Sequence, residues 1–162
     1  GEDFESGKTF LPQLIRSADA AGACFEVIKA DMKKKNTSAE SKGNIVIATV
    51  KGDVHDIGKN IVKTVLENYG YTVIDLGKDV TPEAVVKAQK ESKARLVGLS
   101  ALMTTTLPAM EETVKMLKAE NADCKIMVGG AVLTPEYAEK IGADFYAKDA
   151  KAGADICKKV FG

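Results

Sequence analysis

From residue 44 onwards, short apolar runs alternate with amphipathic stretches, and this alternation limits the possible folds more than any other feature of the chain. The apolar runs predict five strands, near residues 44–50, 72–76, 95–100, 125–128 and 144–147. Strands separated by helices pair in parallel, because each helix returns the chain to the edge of the sheet at which the preceding strand began. We therefore predict an α/β fold with a doubly wound, five-stranded parallel sheet.

The helices between these strands carry recognisable boundaries. Ile57, Ile61, Val65 and Tyr69 form an apolar stripe that Gly70 ends, and Thr81-Pro82 and Thr134-Pro135 each place a capping hydroxyl before a proline. Five such units favour the flavodoxin-like, Rossmann-like strand order 2-1-3-4-5. In that order the loops after strands one, three, four and five meet at one edge of the sheet: residues 51–58, 101–106, 129–133 and 148–150.

The N-terminal part of the chain follows a different pattern. Residues 1–35 have apolar residues at three- and four-residue intervals, which predicts helix, and residues 36–43 are polar and charged, which predicts a linker before an α/β domain at 44–162. The chain begins at Gly1 within the helical pattern rather than at a methionine. We therefore expect a preceding helical segment to be missing from it.

The only histidine, His55, lies in the loop directly after the first predicted strand. A neutral imidazole ligates a metal through one nitrogen when the other carries a proton and has an acceptor, and Asp53 can be that acceptor. One histidine cannot form a zinc site, which needs three or four protein ligands. A metal bound here should therefore bring its own equatorial ligands in a macrocycle.

The neighbouring predicted loops are short of large and charged side chains. Ser100 begins a run of small hydroxyls that includes Thr104 and Thr106, and Gly129-Gly130 follows the fourth strand. We interpret these small residues as the lining of a channel that admits a bulky, partly apolar ligand. Asp56 is adjacent to the helix that begins at Ile57, and we favour a capping role for it over contact with a ligand.

Composition excludes several classes of function. Lys and Arg number 23, as do Asp and Glu, so no excess of positive charge favours nucleic acid as a partner. The three cysteines, Cys24, Cys124 and Cys157, are widely spaced, which argues against a disulfide framework or a thiolate metal site and fits the reducing cytoplasm. No apolar stretch is long enough to span a membrane, so we expect no membrane association.

Three motifs resemble those of cobalamin-binding domains. Asp53-Val54-His55-Asp56-Ile57-Gly58 matches D-x-H-x-x-G, Ser100-Ala101-Leu102 matches S-x-L, and Gly129-Gly130 matches the family's glycine pair. Upstream, the segment at 7–13 resembles the end of the helical cap that precedes this domain in methionine synthase and in the corrinoid proteins of methyltransferase systems. The family cap has four helices, whereas this chain holds about the last two. The resemblance covers nearly the whole chain.

The resemblance implies a site built around cobalt. His55 would be the lower axial ligand, which replaces the cofactor's own base, and Asp53 and then Ser100 would form a hydrogen-bond relay behind it. The nucleotide tail would lie among small residues, Ala150 would lie near the ring's edge, and Phe4 and Leu11 would cover the upper, methyl-bearing face. The implied cofactor-binding residues are Gly52, Asp53, Val54, His55, Asp56, Ile57, Gly58, Ser100, Leu102, Thr104, Thr106, Gly129, Gly130, Ala150, Phe4 and Leu11.

The function implied is that of a methyl carrier with no turnover of its own. Cobalamin or a related corrinoid, methylcobalamin in the charged state, would shuttle a methyl group between a substrate-specific methyltransferase and an acceptor methyltransferase, with a reductive activation protein as a further partner. Two alternatives are the cobalamin domain of an adenosylcobalamin-dependent mutase and a signalling or sensor module of the same fold. The cap-like segment favours the methyl carrier over the mutase. The receiver-type signalling module is disfavoured because Ser100 follows the third strand where a phosphoacceptor aspartate is needed.

Overall fold

The computed structural model describes residues 3, 6–34, 41–120 and 123–162, and these form two compact units divided after residue 40. In the first unit, helix α1 spans Leu11–Lys34. Residue 3 is helical and residues 6–10 are turn, bend and coil, so the helix predicted for residues 1–35 is interrupted before α1. Among the helices in the described part of the chain, none combines the length and the hydropathy needed to cross a membrane.

The second unit alternates strands and helices as the sequence predicts. Its elements are β1 (Asn44–Thr49), α2 (Ile57–Asn68), β2 (Thr72–Asp75), α3 (Pro82–Ser92), β3 (Leu96–Ser100), α4 (Leu107–Ala119), β4 (Lys125–Gly129), α5 (Pro135–Lys140), β5 (Phe145–Tyr146) and α6 (Ala150–Phe161), with a short 3₁₀ turn at Thr104–Thr106. All strand pairs are parallel, in the order β2-β1-β3-β4-β5. The predicted fold class is confirmed.

The interior strand β1 is buried on both faces, as expected for a doubly wound sheet. Its side chains alternate between two hydrophobic clusters: Val46 and Ala48 belong to the one with residues of α3, α4 and α5, and Ile45 and Ile47 to the one with residues of α2 and α6. The carboxyl ends of β1, β3 and β4 are level, since Thr49 pairs with Ser100 and Ser100 with Gly129. The loops that follow these strands therefore share one edge.

Local capping explains where several helices begin. The hydroxyls of Thr81 and Thr134 accept hydrogen bonds from Ala84 N–H and Tyr137 N–H, as the Thr-Pro pairs predict. Asp56 differs from the prediction, because it occupies the N-cap position of α2 while its side chain makes no capping hydrogen bond.

The apolar stripe predicted for α2 is wrong at both ends. The fully buried positions of this helix are Lys59 and Leu66, whereas Ile57 is 58% exposed and Tyr69 is 43% exposed. Ile57 begins the helix at the carboxyl edge of the sheet, and the layers of the α/β unit leave more than half of it exposed. An exposed isoleucine beside the His55 loop therefore needs another explanation.

The linker predicted at 36–43 falls mostly on residues 35–40, which lie outside the described residues. Its last two residues already contact the α/β unit: Lys42 N–H donates to the Gly70 carbonyl, and the Gly43 carbonyl accepts from Thr72 N–H. A side chain at Gly43 would also overlap the ring of Phe161. The α/β unit therefore includes these residues.

Candidate functional site

The loop after β1 presents His55 at the carboxyl edge of the sheet. The histidine side chain is 46% exposed, whereas the Asp53 side chain is fully buried. His55 Nδ1 lies 2.8 Å from Asp53 Oδ1, and the same oxygen accepts the His55 backbone N–H at 3.0 Å. From the other side of the loop, the Thr49 hydroxyl donates to the His55 carbonyl at 3.2 Å. His55 is thus held by hydrogen bonds to both its ring and its backbone.

The second oxygen of Asp53 ties this loop to the one after β3. Oδ2 accepts the N–H groups of Leu102 at 2.7 Å and Met103 at 3.2 Å and the hydroxyl of Thr106 at 3.0 Å. Burial raises the pKa of Asp53, but the hydrogen bonds donated by Leu102, His55 and Thr106 outweigh it, so the pKa lies well below its ordinary value. Asp53 is therefore ionised and acts only as an acceptor.

An ionised Asp53 determines the tautomer of the neutral imidazole. Because a carboxylate cannot donate, Nδ1 of His55 carries the proton, and the neutral ring then has its lone pair on Nε2. Within the described residues, Nε2 has no hydrogen-bond partner. This is the arrangement of a histidine ready to ligate a metal, with a carboxylate that increases its basicity.

The predicted relay from Asp53 to Ser100 is wrong. Within the described structure Ser100 makes no hydrogen bond to Asp53, and the hydroxyl that does so belongs to Thr106, which is 4% exposed. The 3₁₀ turn at Thr104–Thr106 folds the chain back, because Thr106 N–H donates to the Met103 carbonyl. That turn brings Thr106, rather than the serine at the strand end, against the carboxylate.

The glycines after β4 are explained by close backbone approach. A Cβ on Gly129 would lie 2.8 Å from the Ala147 carbonyl oxygen, and one on Gly130 would lie 1.9 Å from the Ala101 carbonyl oxygen. Gly130 also has φ +133°, a conformation that side chains disfavour. The sequence suggested that the missing side chains leave an open channel. The structure shows instead that backbone atoms of neighbouring loops fill those positions. A role for these glycines beside a nucleotide tail stays a prediction.

Apolar side chains surround the exposed imidazole. Val54 is 57% exposed, Ile57 is 58% exposed and Leu102 is 41% exposed. Gly58, in the first turn of α2, would place a Cβ in open space, so no contact among the described residues requires glycine there. Glycine weakens a helix by about 1 kcal/mol relative to alanine. A flat apolar ligand seated on the loop would account both for the exposed side chains and for the glycine.

The remaining predicted residues are distributed as follows. Gly52 adjoins the site, since a Cβ there would lie 3.6 Å from Thr106 Cγ2. Thr104 is exposed in the 3₁₀ turn, and Ala150 is the half-buried first residue of α6. Phe4 lies outside the described residues, and Leu11 is the first residue of α1 in the other compact unit. The structure thus brings together the loops after β1 and β3.

Sequence reasoning missed the loop after β2. Asp79 contacts Gly52 and Asp53 through hydrogen bonds, and Asp75 forms an ion pair with the buried Lys59 of α2. The signal was available, because β2 is the neighbour of β1 and its carboxyl end lies at the same edge. The acidic residues of that loop belong to no motif, because they follow a different strand from the one that carries His55.

A macrocyclic metal fits this site better than a bare ion. The described residues contain no group of three or more His, Cys, Asp and Glu side chains that could hold a metal. Two surface clefts, of about 350 and 440 Å³, lie elsewhere: one is at the opposite edge of the sheet beside Cys124, and the other is along α3 and α4 beside Met116. A metal bound at His55 would therefore have one protein nitrogen as its ligand, and its remaining ligands would have to come from a macrocycle.

Comparison with known proteins identifies this arrangement. A family model for the B12 binding domain matches residues 43–154. The chain belongs to the B12-binding domain family. It is 45% identical over 159 residues to dimethylamine corrinoid protein 1 of Methanosarcina acetivorans, which covers 97% of this chain and 74% of that protein. The α/β unit of this B12-binding protein contains the whole matched region.

Solved structures agree with this assignment. A cobalamin-binding protein from Desulfitobacterium hafniense superposes with a TM-score of 0.81 at 39% identity, covering 100% of this chain and 76% of that one. A chain of the methanol:cobalamin methyltransferase complex of Methanosarcina barkeri superposes with a TM-score of 0.85 at 32% identity, covering 99% of this chain and 61% of that one. The prediction of a cobalamin-binding protein is confirmed, and the residues around His55 described above fit a corrin ring.

Proposed function

We propose that this protein is a corrinoid methyl carrier, which binds cobalamin with His55 as the lower axial ligand and moves between a substrate methyltransferase and an acceptor methyltransferase. The observation that carries the proposal is the pairing of Nδ1 with Asp53, which leaves Nε2 of an exposed histidine free as a ligand. When bound, the corrinoid supplies a cobalt centre that accepts and donates a methyl group. The protein supplies the axial nitrogen, the orientation of the ring and a surface for its partners.

The residues of the site would hold the imidazole, the ring and the nucleotide tail, and Leu102 and Thr106 would each have two of these tasks. Asp53 keeps the proton on Nδ1 and, held by Thr106 and two backbone N–H groups, limits the movement of the imidazole. Val54, Ile57 and Leu102 would pack against the lower face of the ring. The nucleotide tail would lie beside the residues assigned to it from the family resemblance: Gly58, Ser100, Leu102, Thr104, Thr106, Gly129 and Gly130.

The partners proposed are proteins rather than nucleic acid. In the Methanosarcina barkeri complex the similar chain belongs to a methanol:cobalamin methyltransferase, which supports a substrate methyltransferase as the first partner here. An acceptor methyltransferase and a reductive activation protein would complete the cycle. The cytoplasm is the proposed compartment, in keeping with the three free cysteines, of which Cys157 is buried with a pKa raised by burial to about 12.

We expect His55→Ala to lose axial coordination while keeping weak corrinoid binding. The substitution removes the single nitrogen ligand but leaves the apolar surface, so affinity for hydroxocobalamin should fall by about tenfold or more. When histidine is labelled with ¹⁵N, the single imidazole can be told from the ¹⁴N base of the cofactor. The cobalt(II) EPR spectrum of the labelled, reconstituted wild-type protein should show the splitting of one ¹⁵N nucleus, and the variant should lack it. Added ¹⁵N-labelled imidazole should restore the splitting. A ¹⁴N splitting in place of the ¹⁵N splitting in the labelled wild-type protein would contradict the assignment of His55.

Gly58→Ala should have opposite effects on the stability of the apoprotein and on its affinity for the cofactor. The apoprotein should become more stable by about 0.5 to 1 kcal/mol, because alanine favours the helix and its Cβ meets no atom. Hydroxocobalamin binding should weaken by about tenfold or more, because the methyl group would occupy space needed by the ligand. Urea denaturation of the apoprotein and equilibrium binding of the cofactor measure the two effects. If binding stays at the wild-type level, the corrinoid does not approach Gly58.

A further inference from the structure

After β2 ends, the chain continues along the end of β1. The Gly77 carbonyl accepts Thr49 N–H at 3.0 Å, Val80 N–H donates to the Thr49 carbonyl at 3.1 Å, and Val50 and Val80 form an isolated parallel bridge. This segment, residues 75–79, thus lies directly beside the loop that carries His55. We call it the β2 exit segment.

At its far end, Asp79 holds the start of the His55 loop with two hydrogen bonds. Its backbone N–H donates to the Asp53 carbonyl at 3.0 Å, and its Oδ1 accepts Gly52 N–H at 2.7 Å. Asp79 has φ +56°, a left-handed conformation that is uncommon for residues other than glycine but is tolerated by Asp and Asn. The two contacts require both this backbone conformation and an acceptor on the side chain.

Asp75, the first residue of the β2 exit segment, contacts the start of α2, which directly follows the His55 loop. Asp75 Oδ1 accepts Lys59 Nζ at 2.6 Å and Gly77 N–H at 2.9 Å, and Oδ2 lies 3.3 Å from Lys63 Nζ. Lys59 follows Gly58 in the first turn of α2, and its side chain is 3% exposed. The β2 exit segment is therefore attached to the His55 loop on both sides of the histidine.

We propose that Asp79 is a positioning residue for the axial ligand and that, together with Asp75, it sets the orientation of the His55 loop. This inference rests on the proposed role of His55 as the axial ligand. Asp79 acts through Asp53: it fixes the backbone of Asp53, while Leu102, Met103 and Thr106 fix its carboxylate. With backbone and carboxylate both held, Oδ1 stays where Nδ1–H of His55 donates, and Nε2 keeps one direction.

The test compares Asp79→Gly with Asp79→Asn. Glycine accepts φ +56° without strain but has no side-chain acceptor, whereas asparagine keeps both an acceptor and a preference for the left-handed conformation. Lys93→Gly is the matched control for relief of backbone strain, because Lys93 has φ +51° at the end of α3, away from the site. It should leave the signals from the site unchanged.

Two measurements report on the site, one with the cofactor and one without. In the apoprotein, hydrogen exchange of the Gly52 amide and the NMR shifts of the single imidazole follow the loop directly. After histidine is labelled with ¹⁵N and the protein is reconstituted with hydroxocobalamin and reduced, the ¹⁵N splitting in the cobalt(II) EPR spectrum gives the ratio of histidine-bound to histidine-free cobalt. Asp79→Gly should speed Gly52 exchange and lower that ratio, each by about fivefold. Asp79→Asn should stay within about twofold of wild type.

The outcomes distinguish this inference from the proposed function. Faster Gly52 exchange, shifted imidazole signals and a lower ratio in Asp79→Gly, with rescue by Asp79→Asn, support the positioning role. Wild-type values in Asp79→Gly, or equal damage in both Asp79 variants, overturn it. If wild-type protein itself lacks the ¹⁵N splitting, the axial assignment of His55 fails, while the apoprotein measurements still decide whether Asp79 positions the loop.

Discussion

Replacing Asp53 with alanine is expected to lower the free energy of unfolding of the apoprotein by about 4 kcal/mol. Asp53 accepts hydrogen bonds on both oxygens, from the backbone and ring of His55 and from Leu102, Met103 and Thr106. Its side chain is fully buried, so alanine would leave these donors without acceptors at the junction of two loops. Asp53→Asn keeps the shape of the side chain but turns an amide NH₂ towards donors on one side. The free energy of unfolding should therefore fall by about 2 kcal/mol.

Urea denaturation followed by tyrosine fluorescence measures this effect in the α/β unit alone. The chain has no tryptophan, and its four tyrosines, Tyr69, Tyr71, Tyr137 and Tyr146, all belong to the second compact unit. Asp155→Ala is the control, because its ion pair with Lys158 is half exposed and should change the stability by no more than about 0.5 kcal/mol. Equal losses for Asp53→Ala and Asp155→Ala would mean that Asp53 does not join the two loops.

The same variant tests the role of the carboxylate in coordination. Without Asp53, Nδ1 has no acceptor and the imidazole is free to rotate or to exchange tautomers. The ¹⁵N splitting from labelled histidine in the cobalt(II) EPR spectrum should therefore weaken in Asp53→Ala at equal corrinoid loading. Full wild-type splitting would show that His55 coordinates without help from the carboxylate.

Sequence periodicity and local capping were sufficient to predict the sheet and its helices. The Thr81-Pro82 and Thr134-Pro135 pairs each begin a helix because the hydroxyl and the proline act within one turn of the chain. His55 and Asp53 could be paired for a similar reason, since they are two residues apart in one loop. Features set by neighbours in sequence are therefore predictable.

Contacts between loops could not be predicted in the same way. Ser100 and Thr106 are both hydroxyl residues after β3, and only the 3₁₀ turn at 104–106 determines which of them reaches Asp53. The sequence around Gly130 indicates the wall of a channel. In the structure, however, the Ala101 carbonyl occupies the position that a side chain on Gly130 would need. These contacts depend on where adjacent strands end relative to one another. The periodic pattern of a single sequence does not contain that information.

The second large effect is expected at Asp75. Asp75→Ala would leave the ammonium group of Lys59, whose side chain is 3% exposed, without its carboxylate partner, at a cost of about 3 kcal/mol. The double variant Lys59→Met with Asp75→Leu removes both charges and should recover most of that loss, to within about 1 kcal/mol of wild type. The recovery distinguishes an unpaired buried charge from a loss of packing, because packing defects would add rather than cancel.

The pH dependence of stability provides an independent check on Asp75. Burial raises the pKa of Asp75, but the hydrogen bonds from Lys59 and Gly77 and the charges of Lys59 and Lys63 outweigh it, so the pKa lies below its ordinary value. The folded protein therefore binds this proton less readily than the unfolded chain does. The stabilisation is complete above the unfolded pKa, at about pH 4, and is lost as the pH falls through the folded value.

Asp75→Asn isolates this contribution from those of the other carboxylates. Subtracting its unfolding free energy from that of wild type at each pH between about 3 and 7 cancels the titration of groups that both proteins share. The difference should be constant near neutrality and should shrink below about pH 4. A difference that stays constant down to the lowest pH would mean that Asp75 has the same pKa in the folded and unfolded chains, and the ion pair with Lys59 would then not hold the start of α2 against the β2 exit segment.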